Sequence, residues 1–209
     1  MKLNIKQVVI AVALMATLPL AVQAQGFERI SLGGKAVVWG VPDLDSFSLA
    51  LDGMAGTEIH GIDESVLFGL RPFVRLGLTS ELAVELSHEF AFGGEDIMVS
   101  SGTGIWRPFG ENGLELHASI CYGQFDWDGP GSFDSTWGWE AGAGYSFRLT
   151  DSASLVVGLA YRNLSFDYEV DELLLDLAET RPDVAVVSFS QESADAAGVV
   201  ADIGIFITF

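Results

Sequence analysis

Residues 134–161 read DSTWGWEAGAGYSFRLTDSASLVVGLAY. Trp137, Trp139, Ala141, Ala143, Tyr145 and Phe147 fall on one side of an extended chain. Thr136, Gly138, Glu140, Gly142, Gly144, Ser146 and Arg148 fall on the other. Side chains alternate faces along a strand, so this period of two separates an apolar face from a small and charged one. Thr150-Asp-Ser152 is a short polar turn, after which Leu155, Val157, Leu159 and Tyr161 resume the alternation. Two long strands joined by a tight turn are the reading that fits.

The same pattern extends in both directions. Segments at about 65–78, 81–93, 96–109, 113–127, 134–148, 153–168 and 198–209 read as strands, and Ser31–Val41 supplies an eighth. Phe47–Leu51 also alternates and stands as an extension or a replacement of that first strand. The apolar face carries Leu82, Val84, Leu86, Phe90 and Phe92 in one strand, and Ala201, Ile203, Ile205, Ile207 and Phe209 in the last. Segments of 11–16 residues exceed the roughly 5–6 usual in soluble domains and suit a tilted membrane crossing, which needs ~9–11. Trp137 and Trp139 suit one interfacial girdle and Tyr145 the opposite one.

Connection lengths give the parity. Thr79-Ser80, Gly110–Gly113 and Thr150–Ser152 are tight turns after the second, fourth and sixth strands. The other connections are roughly 42–64, 94–95, 128–133 and 169–197. Outer-membrane barrels have an even strand number, short periplasmic turns and longer outer loops. With a periplasmic N-terminus, every tight turn here falls on the periplasmic side. The expected fold is all-β, an eight-stranded antiparallel up-and-down transmembrane β-barrel whose chain ends meet on closure.

Residues 1–24, MKLNIKQVVIAVALMATLPLAVQA, have the layout of a secretory signal peptide: Lys2 and Lys6, an apolar stretch Val8–Leu18, and Val22 and Ala24 before the cleavage point. The expected division is a leader at 1–24 and a barrel domain at 25–209. No later apolar run reaches helical spanning length, which excludes a helical membrane protein. The 209 residues carry a formal charge of -19; without the leader, 8 cations stand against 29 acids. That balance excludes a binder of nucleic-acid backbones. The single cysteine, Cys121, excludes an intramolecular disulfide scaffold and a thiolate zinc cluster.

The face opposite the apolar one holds charges of both signs. Lys35, Arg71, Arg75, Arg148 and Arg162 are expected to point inward against Glu81, Glu85, Glu89, Glu115, Glu140 and Asp202. Buried charges persist when paired and hydrogen-bonded, and an eight-stranded barrel has room for side chains or one small ligand. A charge-paired, plugged lumen follows. One strand is irregular: alternation puts Phe166 and Tyr168 on the face opposite Leu155–Tyr161, so either a bulge near Asn163 returns them to the outward face or they wall the extracellular rim.

The leader, the eight strands, the long loops on one side and the terminal Gly204-Ile-Phe-Ile-Thr-Phe209 together resemble small outer-membrane β-barrel proteins, the OmpA-like transmembrane, OmpX-like and OmpW-like barrels. The resemblance spans 31–209 as architecture. It implies residence in the bacterial outer membrane after export through the periplasm. It also implies that Phe209, with Ile207, Ile205 and Ile203, serves as the signal read by the outer-membrane assembly machinery. No room is expected after Phe209 for a peptidoglycan-binding domain, so cell-wall tethering is not carried over.

Chemistry is sparse. The histidines are His60, His88 and His117, and no HExxH, CxxC or acid-rich calcium loop appears. Glu115, His117 and Ser119 share the inward face and are the best candidate for an activated hydroxyl, but a lumen site is closed to lipid. No catalytic residue, cofactor or resident metal is expected. Two loop regions are acidic, with Asp43, Asp45, Asp52, Glu58, Asp63 and Glu64 in the first and Asp167, Glu169, Asp171, Glu172, Asp176, Glu179, Asp183, Glu192 and Asp195 in the last. Leu173–Leu175 and Leu177 place a short helix or strand extension over the rim. Such a rim meets lipopolysaccharide through bridging divalent cations or stays solvated. The expected role is that of a non-enzymatic monomer with a structural, adhesive or envelope function. A narrow solute channel, a lipid A-modifying enzyme and a soluble calycin-like barrel of inverse polarity are the alternatives.

Overall fold

The computed structural model describes residues 29–53, 56–63, 65–93, 96–127, 129–169, 173, 184–190 and 193–209. The leader at 1–24, most of 171–183, and Glu64 and Glu192 lie outside the described residues.

Eight long strands close the barrel: β1 (Arg29–Gly40), β4 (Val66–Gly77), β5 (Leu82–Phe92), β6 (Asp96–Trp106), β7 (Gly113–Asp126), β8 (Thr136–Arg148), β9 (Ala153–Asn163) and β13 (Gly198–Thr208). Each pairs antiparallel with the next in the chain, and β13 returns to β1, with Gly34 opposite Ile205 on one side and Pro72 on the other. Closure leaves no unpaired strand edge in the barrel wall, which is what a lipid environment demands.

The outer face is the apolar one. Phe68, Leu70, Leu86, Ile120, Trp137, Leu159, Ile203 and Ile205 are exposed to the surroundings. Val74, on the same face, is covered from the side by Ile30, Leu32 and Leu76. This is the transmembrane type of barrel, and it is the inverse of a calycin-like soluble one.

Two of the turns use one device. Leu78 and Thr79 donate backbone N–H groups to Leu82 O at 2.9 and 3.1 Å, while Thr79 Oγ1 accepts from Glu81 N and Leu82 N. Leu149, Thr150, Ser152 and Ala153 repeat it, with Thr150 Oγ1 as acceptor. A threonine hydroxyl thereby satisfies the turn amides. The middle turn depends on glycine instead: Gly110 has φ 82° and Gly113 φ 129°, a region in which a Cβ is strained.

The opposite end is built differently. β2 (Ser48–Gly53), β3 (Gly56–Gly61) and β11 (Val184–Phe189) form a three-stranded sheet in the order β11-β2-β3, and β10 (Ser165–Asp167) pairs with β12 (Ser193–Asp195). Phe47–Leu51 therefore belongs to a separate outer sheet, and β1 is the first barrel strand. No bulge at Asn163 is used. Val156, Ala160, Arg162, Leu164, Phe166 and Tyr168 are all buried, so the two-residue period runs unbroken from β9 through β10. Phe166 and Tyr168 lean over the lumen. Gly123 makes room for the first of them, since a Cβ there would meet the Phe166 ring at 2.9 Å.

Candidate functional site: a charge-paired, capped lumen

Inward positions on seven strands bring nine charged side chains together. Arg71 and Arg162 face Glu89 and Glu140. Arg71 Nε donates to Glu89 Oε2 at 2.7 Å, and its Nη1 and Nη2 donate to Glu140 at 3.2 and 3.3 Å. Arg162 donates to Glu140 through Nε at 2.8 Å and to Glu89 through Nη1 and Nη2 at 3.1 and 2.8 Å. Each guanidinium thus spans two carboxylates, the forked geometry for which arginine is suited.

A second group lies toward the tight turns. Arg75 donates to Glu85 Oε2 through Nε and Nη2 at 3.1 and 2.9 Å and to Glu115 Oε1 at 2.9 Å. Lys35 Nζ donates to Glu85 Oε1 at 3.1 Å, and Ser146 Oγ to Glu115 Oε1 at 3.0 Å. Asp202 links the groups, 3.9 Å from Lys35 and 3.7 Å from Arg71, and its Oδ1 has no protein partner. All nine side chains are buried, none more than 9% exposed. The cavity beside them measures about 20 Å³, room for a single water.

Two residues read as inward from their alternation are elsewhere. Glu81 and Arg148 are exposed at the rim of the tight turns, where Arg148 Nη2 donates to Asp151 O at 3.4 Å. Each sits at the end of its strand, where the rim opens to water. Arg107, one residue past β6, is by contrast buried near this rim, 6% exposed.

Apolar side chains pack against the charges. Phe73, Val156 and Phe206 form one buried cluster, with the Arg75 guanidinium carbon 4.9 Å from the Phe206 ring centre and Lys35 Nζ 5.2 Å from that of Phe73. Such contacts place cations on the negative faces of the rings. Above the charges, Trp39 receives Arg162 at 4.5 Å. A buried apolar cluster then continues through Leu67, Ile97, Val99 and Cys121 to an aromatic cap. The Phe47 ring there lies 5.5 Å from Trp127, 4.9 Å from Phe133 and 5.4 Å from Tyr168. Trp39, Leu67 and Phe73 hold inward positions in the alternation of 31–41 and 65–78, where no charge marks them.

The candidate hydroxyl set does not assemble. Ser119 Oγ pairs with Thr103 Oγ1 at 2.8 Å, and His117 Nε2 lies 3.9 Å from Glu140. Sequence reasoning missed a different pair: His88 Nδ1 and Ser100 Oγ, opposite each other on the outer face of β5 and β6, are 2.9 Å apart. Glu89, next along the chain, points into the lumen, so it does not orient this histidine. Among the described residues no group of three or more acidic, histidine or cysteine side chains is arranged to hold a metal ion. Phe209 lies at the end that carries the tight turns, 64% exposed, with its N–H donated to Ile30 O at 2.8 Å.

Fold and interior together define a class: a small up-and-down β-barrel with an apolar outer face and a lumen filled by its own side chains. Solved structures of that architecture align along most of the chain. The outer-membrane protein OprG of Pseudomonas aeruginosa is 17% identical, with a TM-score of 0.54 over 88% of this chain and 96% of that one. The N-terminal β-barrel domain of Pseudomonas aeruginosa OprF is 14% identical, with a TM-score of 0.50 over 88% of this chain and all of that one. No family model and no curated protein matches the sequence.

Proposed function

We propose that residues 25–209, exported behind a leader at 1–24, form a non-enzymatic outer-membrane barrel with a closed lumen and a structural, adhesive or envelope-protective role. One observation carries this reading. Arg71 on β4 reaches both Glu89 on the adjacent β5 and Glu140 on β8 across the barrel, so ion pairs bridge the bore instead of lining a path. The capping aromatic layer gives a second closure above it. The apolar belt supports residence among outer-membrane lipids, and the terminal strand supports Phe209 as part of the signal recognised by the assembly machinery. The acidic rim favours contact with lipopolysaccharide through bridging divalent cations, since both surfaces are anionic. The chain acts as a monomer.

Conductance across a planar bilayer tests the closure. The folded protein is expected to give small or no steps. Large, stable ohmic conductance from the folded monomer overturns the reading in favour of a narrow solute channel.

A further inference from the structure

The mouth between the tight turns holds an unusual concentration of cations. Of the 8 lysines and arginines after residue 24, Arg29, Arg75, Arg107 and Arg148 line one cleft of about 40 Å³ at this end of the lumen. Glu111 and Asp151 line it too. Two of the arginines are neutralised: Arg29 by Glu111, and Arg75 by Glu85 and Glu115. The ion pairs among the described residues include neither Arg107 nor Arg148.

Arg107 is the informative one. It is more than nine-tenths buried; its Nη2 donates to the Thr79 carbonyl at 3.3 Å, and its Nε has no partner. A buried guanidinium with no directly paired anion is costly, because more distant charges offset its desolvation only in part. Burial first, then repulsion from Arg75, press its pKa below the ordinary guanidinium value, against a smaller opposing pull from Glu115 and Glu111. The hydroxyls of Ser152 and Ser154 add neutral donors to the same cleft. Its volume exceeds that of a single water site and suits a tetrahedral oxyanion.

We propose that this mouth is a binding site for a phosphate-type oxyanion, with Arg107 as the buried anchor and Arg148 as the outer clamp. The ligand is either free phosphate in the periplasm or the phosphate of an anionic lipid headgroup at the inner leaflet. The proposal is independent of whether the lumen conducts.

Protein purified from outer membranes in neutral detergent tests it. Inorganic phosphate is titrated against chloride at matched ionic strength, with the thermal midpoint followed by tryptophan fluorescence. A saturable rise is expected with phosphate alone. Arg148→Gln is expected to weaken the response at least tenfold. Arg107→Lys, which keeps the charge and the fold but loses the fork, is expected to do the same. In a parallel arm, nanodiscs of phosphatidylcholine are compared with nanodiscs containing phosphatidylglycerol, without added phosphate. An Arg148-dependent midpoint rise confined to this arm assigns the lipid headgroup; one confined to the first arm assigns free phosphate. No anion-specific rise in either arm, or a rise unchanged in both variants, overturns the proposal.

Discussion

Arg162 carries the least exposed cation among the described residues and touches both acids of the upper group, Glu89 and Glu140, as well as the Trp39 ring. Replacing one partner of a buried ion pair leaves the other charge uncompensated, which costs about 3–5 kcal/mol. Arg162→Met is therefore expected to lower folding stability by that amount in a urea titration in phosphatidylcholine vesicles without added phosphate. Arg148→Gln, at the water-exposed rim, is expected to stay within about 0.5 kcal/mol of the wild type. Equal effects of the two would remove the distinction between lumen and rim. Arg162→Met combined with Glu140→Gln is expected to be less damaging than the sum of the singles, because the two share partners. The inward sidedness of Arg71, Arg75 and Arg162 was legible from alternation alone. The partners of each were not, because a guanidinium reaching Glu140 on the far wall depends on the diameter of the closed barrel.

At the scale of the element, the tight turns and the last strand carry separate tests. Thr79 Oγ1 and Thr150 Oγ1 each accept two turn amides, and a hydrogen bond is worth roughly 0.5–1.5 kcal/mol net. Thr150→Val is expected to slow folding into vesicles and to lower stability by about 1 kcal/mol, with the mature fold retained on a heat-modifiability gel. For β13, removal of Phe209 is expected to reduce the folded protein in the outer membrane and to increase periplasmic degradation. Its side chain lies outward at the end of β13, in line with Ile207, Ile205 and Ile203. Unchanged membrane abundance after the deletion would make Phe209 a dispensable terminus. Gly123→Leu probes the cap: the new side chain collides with Phe166, so external protease is expected to cut within 165–169 while the barrel below stays folded.

At the scale of the molecule, closure is doubled. A strain lacking the outer hairpin β2–β3 loses part of the aromatic cap, because Leu49 and Leu51 belong to its buried cluster. The ion-paired layer lies beneath and is untouched. That deletion is expected to leave bilayer conductance small, whereas the same deletion combined with Arg71→Ala is expected to raise it. High conductance from the hairpin deletion alone would assign the closure to the cap and not to the charges. The apolar belt also predicts that the protein stays folded and soluble only in detergent or lipid, and recovery as a soluble periplasmic protein without either would contradict a membrane barrel.

The strand number, the side of the tight turns and the inward sidedness of most of the charges are properties of local alternation and loop length, and both are written in the order of residues. Alternation reports sidedness without height or partner. It therefore treated Glu81 and Arg148 like Glu85 and Arg162, although the first two end at a hydrated rim and the last two are buried. It also gave no sign that Phe47, Phe133 and Tyr168, drawn from three separate connections, meet above the bore. Those outcomes depend on barrel closure and on loops folding back over one end. They come with the closed fold, because contacts between residues far apart in the chain are set by the shape of the space in which side chains meet.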